Sequence, residues 1–283
     1  MISKMHPLLI PPFTNKTLRR AVKDYVAGGD RKQRIVAKYG EISNWDTSRV
    51  TNMKYMFSEA TSVNQPLNNW NVSKVTNMDQ MFHNASSFNQ PLNKWSVSNV
   101  TDMESMFHWA TSFNQPLNHW NVSNVTNIRY LFQKATSFNQ PLNNWNVSDV
   151  TNMEYMFWHT TSFNQPLDKW NVSNVTNMES MFYNASSFNQ PLNTLGNKWN
   201  VSNVEFMRCM FQGAESFNQP LNKWNVSKVT NMHLMFGQAS SFNQPLNKWN
   251  VSNVTNMWMM FNGATSFNQP LDAPWYHEES ESE

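Results

Sequence analysis

W-N-V-S-N-V-T-N-M-E-S-M-F-Y-N-A-S-S-F-N-Q-P-L-N, residues 170 to 193, is one copy of a unit that fills most of the chain. Its opening tryptophan returns at Trp45, Trp70, Trp95, Trp120, Trp145, Trp170, Trp199, Trp224 and Trp249. The spacing is 25 residues, broken once by four extra ones, Thr194, Leu195, Gly196 and Asn197. Self-similarity at a fixed period of this length marks a stacked fold, because one such unit cannot bury its own apolar face and must lean on its neighbours. The chain divides into an N-terminal arm and helical cap (1–44), a solenoid of nine repeats (45–271), and a C-terminal cap with an acidic tail (272–283).

Within the unit the apolar spacing changes once, and each spacing predicts a structure. Leu167, Trp170, Val172 and Val175 follow an L-x-x-L-x-L pattern. Trp170 and Val172, two apart, belong on the buried side of a short strand whose other side shows Asn171. Met178, Met181, Phe182 and Ala185 then lie at i, i+3, i+4 and i+7, which predicts about two turns of helix. Thr101 with Glu104, Thr151 with Glu154 and Thr176 with Glu179 read as capping boxes that start it, and Pro191 ends it. The expected fold class is therefore α/β: a leucine-rich-repeat-like solenoid with a parallel sheet on one side and short helices on the other. The series represented by Asn189, Gln190 and Ser173 is expected to stack as amide and hydroxyl ladders. Ahead of the repeats, Leu18, Ala21, Val22, Tyr25 and Val26 share one face of a helix over 15–26. A second short helix between Asp30 and Gly40 offers Ile35, Val36 and Tyr39. Trp275 and Tyr276 are expected to shield the last repeat.

Apolar residues make up 40% of the 283 and charged ones only 14%, which excludes charge-driven disorder. The lone Cys209 excludes an intrachain disulfide and a Cys-rich metal site. Leu8, Leu9 and Ile10 are hemmed in by Pro7, Pro11 and Pro12, too short and broken for a signal-peptide core, and no apolar run suits a membrane span. Net charge is +2, but residues 1–40 hold nine Lys/Arg against two Asp, and from Asp272 onward there are five acids and no base. Such ends either attract one another head to tail or simply solubilise a weakly charged rod.

Recurring side chains belong to the scaffold, so function must sit in those that fail to repeat. Ser73, Ser98 and Ser173 have counterparts in every copy, and the seven His residues, among them His83, His108 and His159, have no acid or Cys recurring with them at ligand spacing. No catalytic set, metal or cofactor is expected. On the strand side, Lys94, Lys169, Lys198, Lys223 and Lys248, with Lys74 and Lys228, form a mildly basic lane among Asn residues. It has no interleaved aromatics, so nucleic acid is not the expected partner. Flanking the M-F pair on the helix side are Tyr55, Trp109, Tyr130, Tyr155, Trp158, Tyr183 and Trp258. Trp and Tyr are what interface cores are enriched in. The expectation is a non-enzymatic scaffold for protein–protein interaction, one part of a larger assembly. The alternative is an adhesin for a host surface protein or glycan.

The unit W-N-V-S-x-V-T-N-M-x-x-M-F-x-x-A-x-S-F-N-Q-P-L resembles the repeat of the BspA-like leucine-rich-repeat surface proteins, in the version found in bacterial lipoproteins and also encoded by protists and large DNA viruses. The preceding A-V-K-D-Y-V (21–26) and Y-G-E-I-S-N-W-D-T-S (39–48) resemble the leader of such repeats. The resemblance implies a right-handed, curved solenoid with its parallel sheet on the concave side, and roles in adhesion or protein interaction without catalysis. The chain departs from the surface-protein pattern in showing no signal peptide, lipobox or wall anchor, so what the resemblance implies is a cytoplasmic or virion-associated component of an assembly such as a virion, with the cell surface as the alternative.

Overall fold

The computed structural model describes residues 11–192 and 199–270. The inserted residues 194–197, Lys198, Leu271, Trp275, Tyr276 and the acidic tail lie outside them. Each repeat forms one coil, and the coils stack so that equivalent residues meet. Phe57, Phe82, Phe107 and Phe132 form a column with ring centroids 5.5, 5.6 and 5.7 Å apart and planes within 4° of parallel. A second column, Phe88, Phe113, Phe138 and Phe163, runs beside it with centroids 6.1 Å apart. The two columns touch within each coil, as at Phe107 and Phe113, 4.0 Å apart. Offset stacking of this kind adds to the burial each ring already contributes.

The periodic tryptophans line the same core. Trp95 stacks on Trp120 at 6.3 Å, and from Trp95 onward each indole N–H donates to a leucine carbonyl about one coil back, Trp95 to Leu67 at 3.0 Å and Trp145 to Leu117 at 2.9 Å, while Trp45 and Trp70 donate to Gly40 and Ile42 beside the cap. The ring is buried in the apolar interior while its one polar atom ties two coils together. Thr160 replaces the usual Ala in coil five, and its buried hydroxyl donates to the Phe132 carbonyl at 2.7 Å. A lone hydroxyl in this core would be costly without that acceptor.

The expected α/β class is overturned. Among the described residues there is no multi-residue strand and no sheet, only isolated parallel bridges such as Asn52 to Asn77 and Asn231 to Asn256. The helices found among the described residues lie in the N-terminal cap: α1, Asn15–Val26, and α2, Gly29–Tyr39, followed by a 3-10 turn at Ile42–Asn44. Trp170 and Val172 are indeed buried and Asn171 exposed, but from turns. Trp170 N–H donates to Leu167 O, Val175 N–H to Val172 O, and the Asn171 side chain accepts from Ser173 N–H at 3.2 Å. N-V-S is an Asx turn, a conformation that competes with the strand.

The M-x-x-M-F segment is likewise no helix. In coil six, Met181, Tyr183 and Ala185 donate to the carbonyls three residues back, whereas Met178, Ser180, Phe182 and Asn184 donate to Phe206, Arg208, Met210 and Gln212 of the next coil. Alternate amides thus serve the turn and the stack. A two-turn helix would leave its first four N–H and last four C=O groups without intrahelical partners. The ladder satisfies them across coils instead. Its geometry requires left-handed backbone twice per coil, as at Tyr155 (φ 57°) and His159 (φ 54°). The capping boxes dissolve with the helix. Glu104, Glu154 and Glu179 N–H donate to the side chains of Asp102, Asn152 and Asn177, and Thr176 Oγ1 donates to Thr151 O.

The Asn and Gln ladders do form. Asn139 Oδ1 accepts from Asn164 N–H at 2.9 Å and Gln165 Nε2 at 3.1 Å, and Asn164 repeats the pattern with Asn189 and Gln190. The expected hydroxyl ladder of the serine series is not seen among the described residues: Ser173 N–H stays in its own Asx turn, and it is the Ser173 carbonyl that links coils, accepting from Asn203 Nδ2 at 2.8 Å. At the first coil, α1 closes the core with Leu18, Ala21, Val22 and Tyr25. The Asn15 side chain accepts from Thr51 and Asn52 N–H, and Arg19 reaches the Lys54 carbonyl, so α1 supplies partners that a preceding coil would have given. No helix among the described residues is long and apolar enough to cross a membrane.

Candidate interaction surface

In most coils the ladder turn points Met, Met, Phe and Ala inward, as with Met153, Met156, Phe157 and the Ala counterpart Thr160; coil four has Ile128 and Leu131 at the Met positions. The four positions between them carry the outer side chains, of which Asp79, Ser105, Ser180 and Cys209 are buried. In coil four these are Arg129, Tyr130, Gln133 and Lys134; in coil five Glu154, Tyr155, Trp158 and His159. The second and fourth of each set sit on the left-handed residues. That backbone aims them off the coil, so the stacked coils present a lattice of non-repeating side chains on an invariant frame.

Charges on this lattice pair between neighbouring coils. Lys54 meets Asp79 at 2.6 Å, Arg129 meets Glu154 at 3.0 Å, Arg208 meets Glu179 at 2.9 Å, and His83 meets Glu59 at 3.2 Å. The hydrogen bond to the Asp79 carboxylate, with Tyr55 beside it, holds the Lys54 ammonium up at about 12. In the Lys54, Arg129 and Arg208 pairs the cation reaches solvent while the carboxylate is mostly covered, so each pair joins two coils at a set register. Three buried side-chain atoms here have no hydrogen-bond partner: Asp79 Oδ1, His83 Nδ1 and His233 Nδ1. His108 packs on His83 with ring centroids 4.6 Å apart, and burial, with the neighbouring His83 and Lys134, drives its pKa down to about 3.

The structure gathers five of the seven sequence-predicted aromatics on coils three to six. Trp109, 41% exposed, carries the Lys134 ammonium 3.6 Å above its ring, and the same ammonium is 5.0 Å from Trp158. Trp158 stacks on Tyr183 at 5.6 Å, and Tyr130 stacks on Tyr155 at 5.1 Å. His108 joins the two groups, lying 6.3 Å from Trp109 and 6.5 Å from Tyr130. Tyr130, Tyr155, Trp158 and Tyr183 are half-buried by these mutual contacts, and Trp109 is the prominence. Tyr55, 46% exposed in coil one beside Lys54, and Trp258, 54% exposed in coil nine against His233, stand apart from the cluster.

The lysine lane runs along the Asx-turn side, where the expected sheet face does not exist. Lys94, Lys169, Lys223 and Lys248 are all exposed, and Lys198 lies outside the described residues. Lys94 Nζ donates to Asn69 at 3.2 Å, and Lys169 borders a shallow recess with Asn143, Asn144, Asn146 and Asn171. The lane is open, charged and flat, with no convergent groups. Two contributors to the outer lattice escape a search confined to aromatics flanking the M-F pair. Lys134 orders the Trp pair, and Phe206, 41% exposed, replaces the Asn or Asp that bridges the other coils. Phe206 was detectable as the one aromatic in an otherwise Asn/Asp column.

A family model described as "Mycoplasma protein of unknown function, DUF285" matches residues 32–137, 111–197 and 192–282. Its three successive matches overlap along the coils and take in α2 at one end. No curated protein and no solved structure matches the chain.

Proposed function

We propose that this chain, which belongs to the DUF285 family of repeat proteins, is a non-enzymatic scaffold that binds a protein partner through the aromatic cluster of coils three to six. The observation that carries the reading is the Trp109–Lys134–Trp158 arrangement, an exposed Trp held in one orientation by a cation 3.6 Å above its ring. Pre-ordering lowers the entropy lost when a partner closes over such a group, and Trp, Tyr and Arg are the usual centres of binding energy. Recurring Asn, Gln and Thr side chains are occupied in the coil ladders, which favours a surface function over catalysis. The repeat's resemblance to BspA-like surface proteins supports an interaction role of the same broad kind.

The test compares partner capture by the wild-type chain with capture by Trp109→Ala and Trp158→Ala, followed by affinity measurement with the recombinant partner. Loss of one central Trp is expected to weaken binding by about 2 kcal/mol, roughly 30-fold. Because Trp109 is exposed, the Trp109→Ala chain should keep the wild-type melting curve. Undiminished binding by both variants would move the site elsewhere on the coils. Binding to an immobilised glycan, lost in the same variants, would select the adhesin reading.

A further inference from the structure

We propose that copies of this chain associate head to tail, the coil-nine end of one docking on the outer face of the α1/α2 cap of the next. The inference stands apart from the aromatic cluster and begins with the ladder. In coil eight, Met232, Leu234 and Gln238 donate to Asn256, Trp258 and Asn262 of coil nine at 2.8, 3.0 and 2.6 Å. In coil nine the same backbone recurs, left-handed at Met259 (φ 55°) and Gly263 (φ 73°), but the Met257, Met259 and Gly263 amides have no backbone acceptor among the described residues. Val254 and Met257 are only partly covered, whereas their counterparts Val229 and Met232 are fully buried, and Trp258 and Met259 are 54% and 41% exposed. An edge with unspent donors and apolar side chains is a template for association.

Charge selects the occupant. Lys16, Arg20 and Lys23 fall at i, i+4 and i+7 on α1, opposite the buried Leu18, Ala21 and Val22. They are exposed, and no carboxylate among the described residues pairs with them. Arg34 and Lys38 add exposed positive charge on α2. The complementary charge is attached to the opposite end of the same molecule: Asp272 follows Pro270 by two residues, and Glu278, Glu279, Glu281 and Glu283 come next with no base among them. The inner side of the cap is already spent on coil one through Asn15 and Arg19. Its basic outer side is what remains to receive a second copy. A contact between two different patches does not close on itself as a twofold dimer does, so the assembly is open and grows with concentration. Attraction between exposed charges also makes it sensitive to salt.

The experiment is sedimentation velocity on the full chain from micromolar to about 100 µM, at about 50 mM and about 500 mM salt. Average mass is expected to rise with concentration at low salt and to fall back to the monomer at high salt. A cap-reversed chain (Lys16→Glu, Arg20→Glu, Lys23→Glu) and a tail-reversed chain (Glu278→Lys, Glu279→Lys, Glu281→Lys) should each stay monomeric. Their equimolar mixture should associate again. Trp258→Ser should weaken wild-type association at fixed salt. Circular dichroism melts establish that each variant is folded. A wild-type chain that is monomeric throughout overturns the proposal, as does a mixture that fails to recover association. Binding of the monomeric chain to anionic vesicles in place of self-association would reassign the basic cap to a lipid surface and overturn it equally.

Discussion

Replacing Gln80 and Gln238 by glycine should stabilise this protein, the opposite of what glycine does inside a helix. Both residues sit in left-handed backbone, with φ 52° and 56°. An L-residue there carries about 1–2 kcal/mol of steric cost, which glycine escapes. Glycine loses about 0.4–1 kcal/mol of that through the greater freedom of the unfolded chain. The net gain is about 0.5 kcal/mol per site, about 1 kcal/mol for the pair. Neither side chain contributes much that would be forfeited: Gln238 is exposed, and Gln80 makes only a 3.4 Å contact with the Tyr55 hydroxyl. Coils seven and nine already have Gly213 and Gly263 at the position of Gln238, with φ 67° and 73°. A helical ladder segment would instead lose about 1 kcal/mol per glycine, about 2 kcal/mol in all. At about 2–4 °C per kcal/mol, the double variant should melt a few degrees above wild type. Gln238→Val supplies the converse, a loss of about 1 kcal/mol or more from a β-branched residue forced to positive φ. A double-glycine variant that melts several degrees lower, with a neutral Gln238→Val, would refute the turn-ladder reading.

Other outcomes follow from the same contacts. Asn139→Ala removes the acceptor for Asn164 N–H and Gln165 Nε2 and should cost about 1–2 kcal/mol in chemical denaturation, with amide exchange accelerating at Asn164 first. Phe157→Ala opens a void between Phe132, Phe163 and Phe182 and should cost about 3–5 kcal/mol, the largest effect of any single change considered. His108 is held neutral by burial, with a folded pKa of about 3. The unfolded chain therefore takes up its proton first, and the contribution of neutral His108 to stability is present above the ordinary His value and erodes as pH falls below about 6.5. The slope is at most about 1.4 kcal/mol per pH unit, reduced by the solvent that still reaches the ring. Melting temperatures of wild type and His108→Gln should diverge between pH 7 and pH 5, and parallel curves would remove His108 as the cause.

Much of the packing was legible because repetition forces every copy into one environment. Trp170, Val172, Met178, Phe182 and Leu192 are all fully buried, as their recurrence requires. The amide ladder of Asn139, Asn164 and Asn189 was legible for the same reason, since identical polar groups stacked at one spacing must satisfy one another. The helix and the strand were misread because side-chain spacing reports which residues face inward, and a chain of tight turns can present Met178, Met181, Phe182 and Ala185 to one core as a helix would. Asn171, which looked like the exposed face of a strand, is the Asx-turn acceptor that prevents one. At the surface, the identities of Trp109, Tyr130 and Trp158 were visible as departures from the repeat. The association of Trp109 and Trp158 with Lys134, and that of Tyr130 with His108, was not, because those contacts join residues from different coils.

The sequence by itself determined the period, the number of coils, the inward residues and the charge at each end, because all of these are properties of a linear pattern. Only the tertiary structure decided where the backbone hydrogen bonds go. Met178 and Phe182 find their acceptors on Phe206 and Met210, a whole repeat away, and nothing local favours those over a carbonyl in the same coil until the next coil is in place. Stacking supplies that acceptor at every second amide. It thereby replaces a helix that would have left half its polar groups unsatisfied with a ladder that extends as far as the coils do.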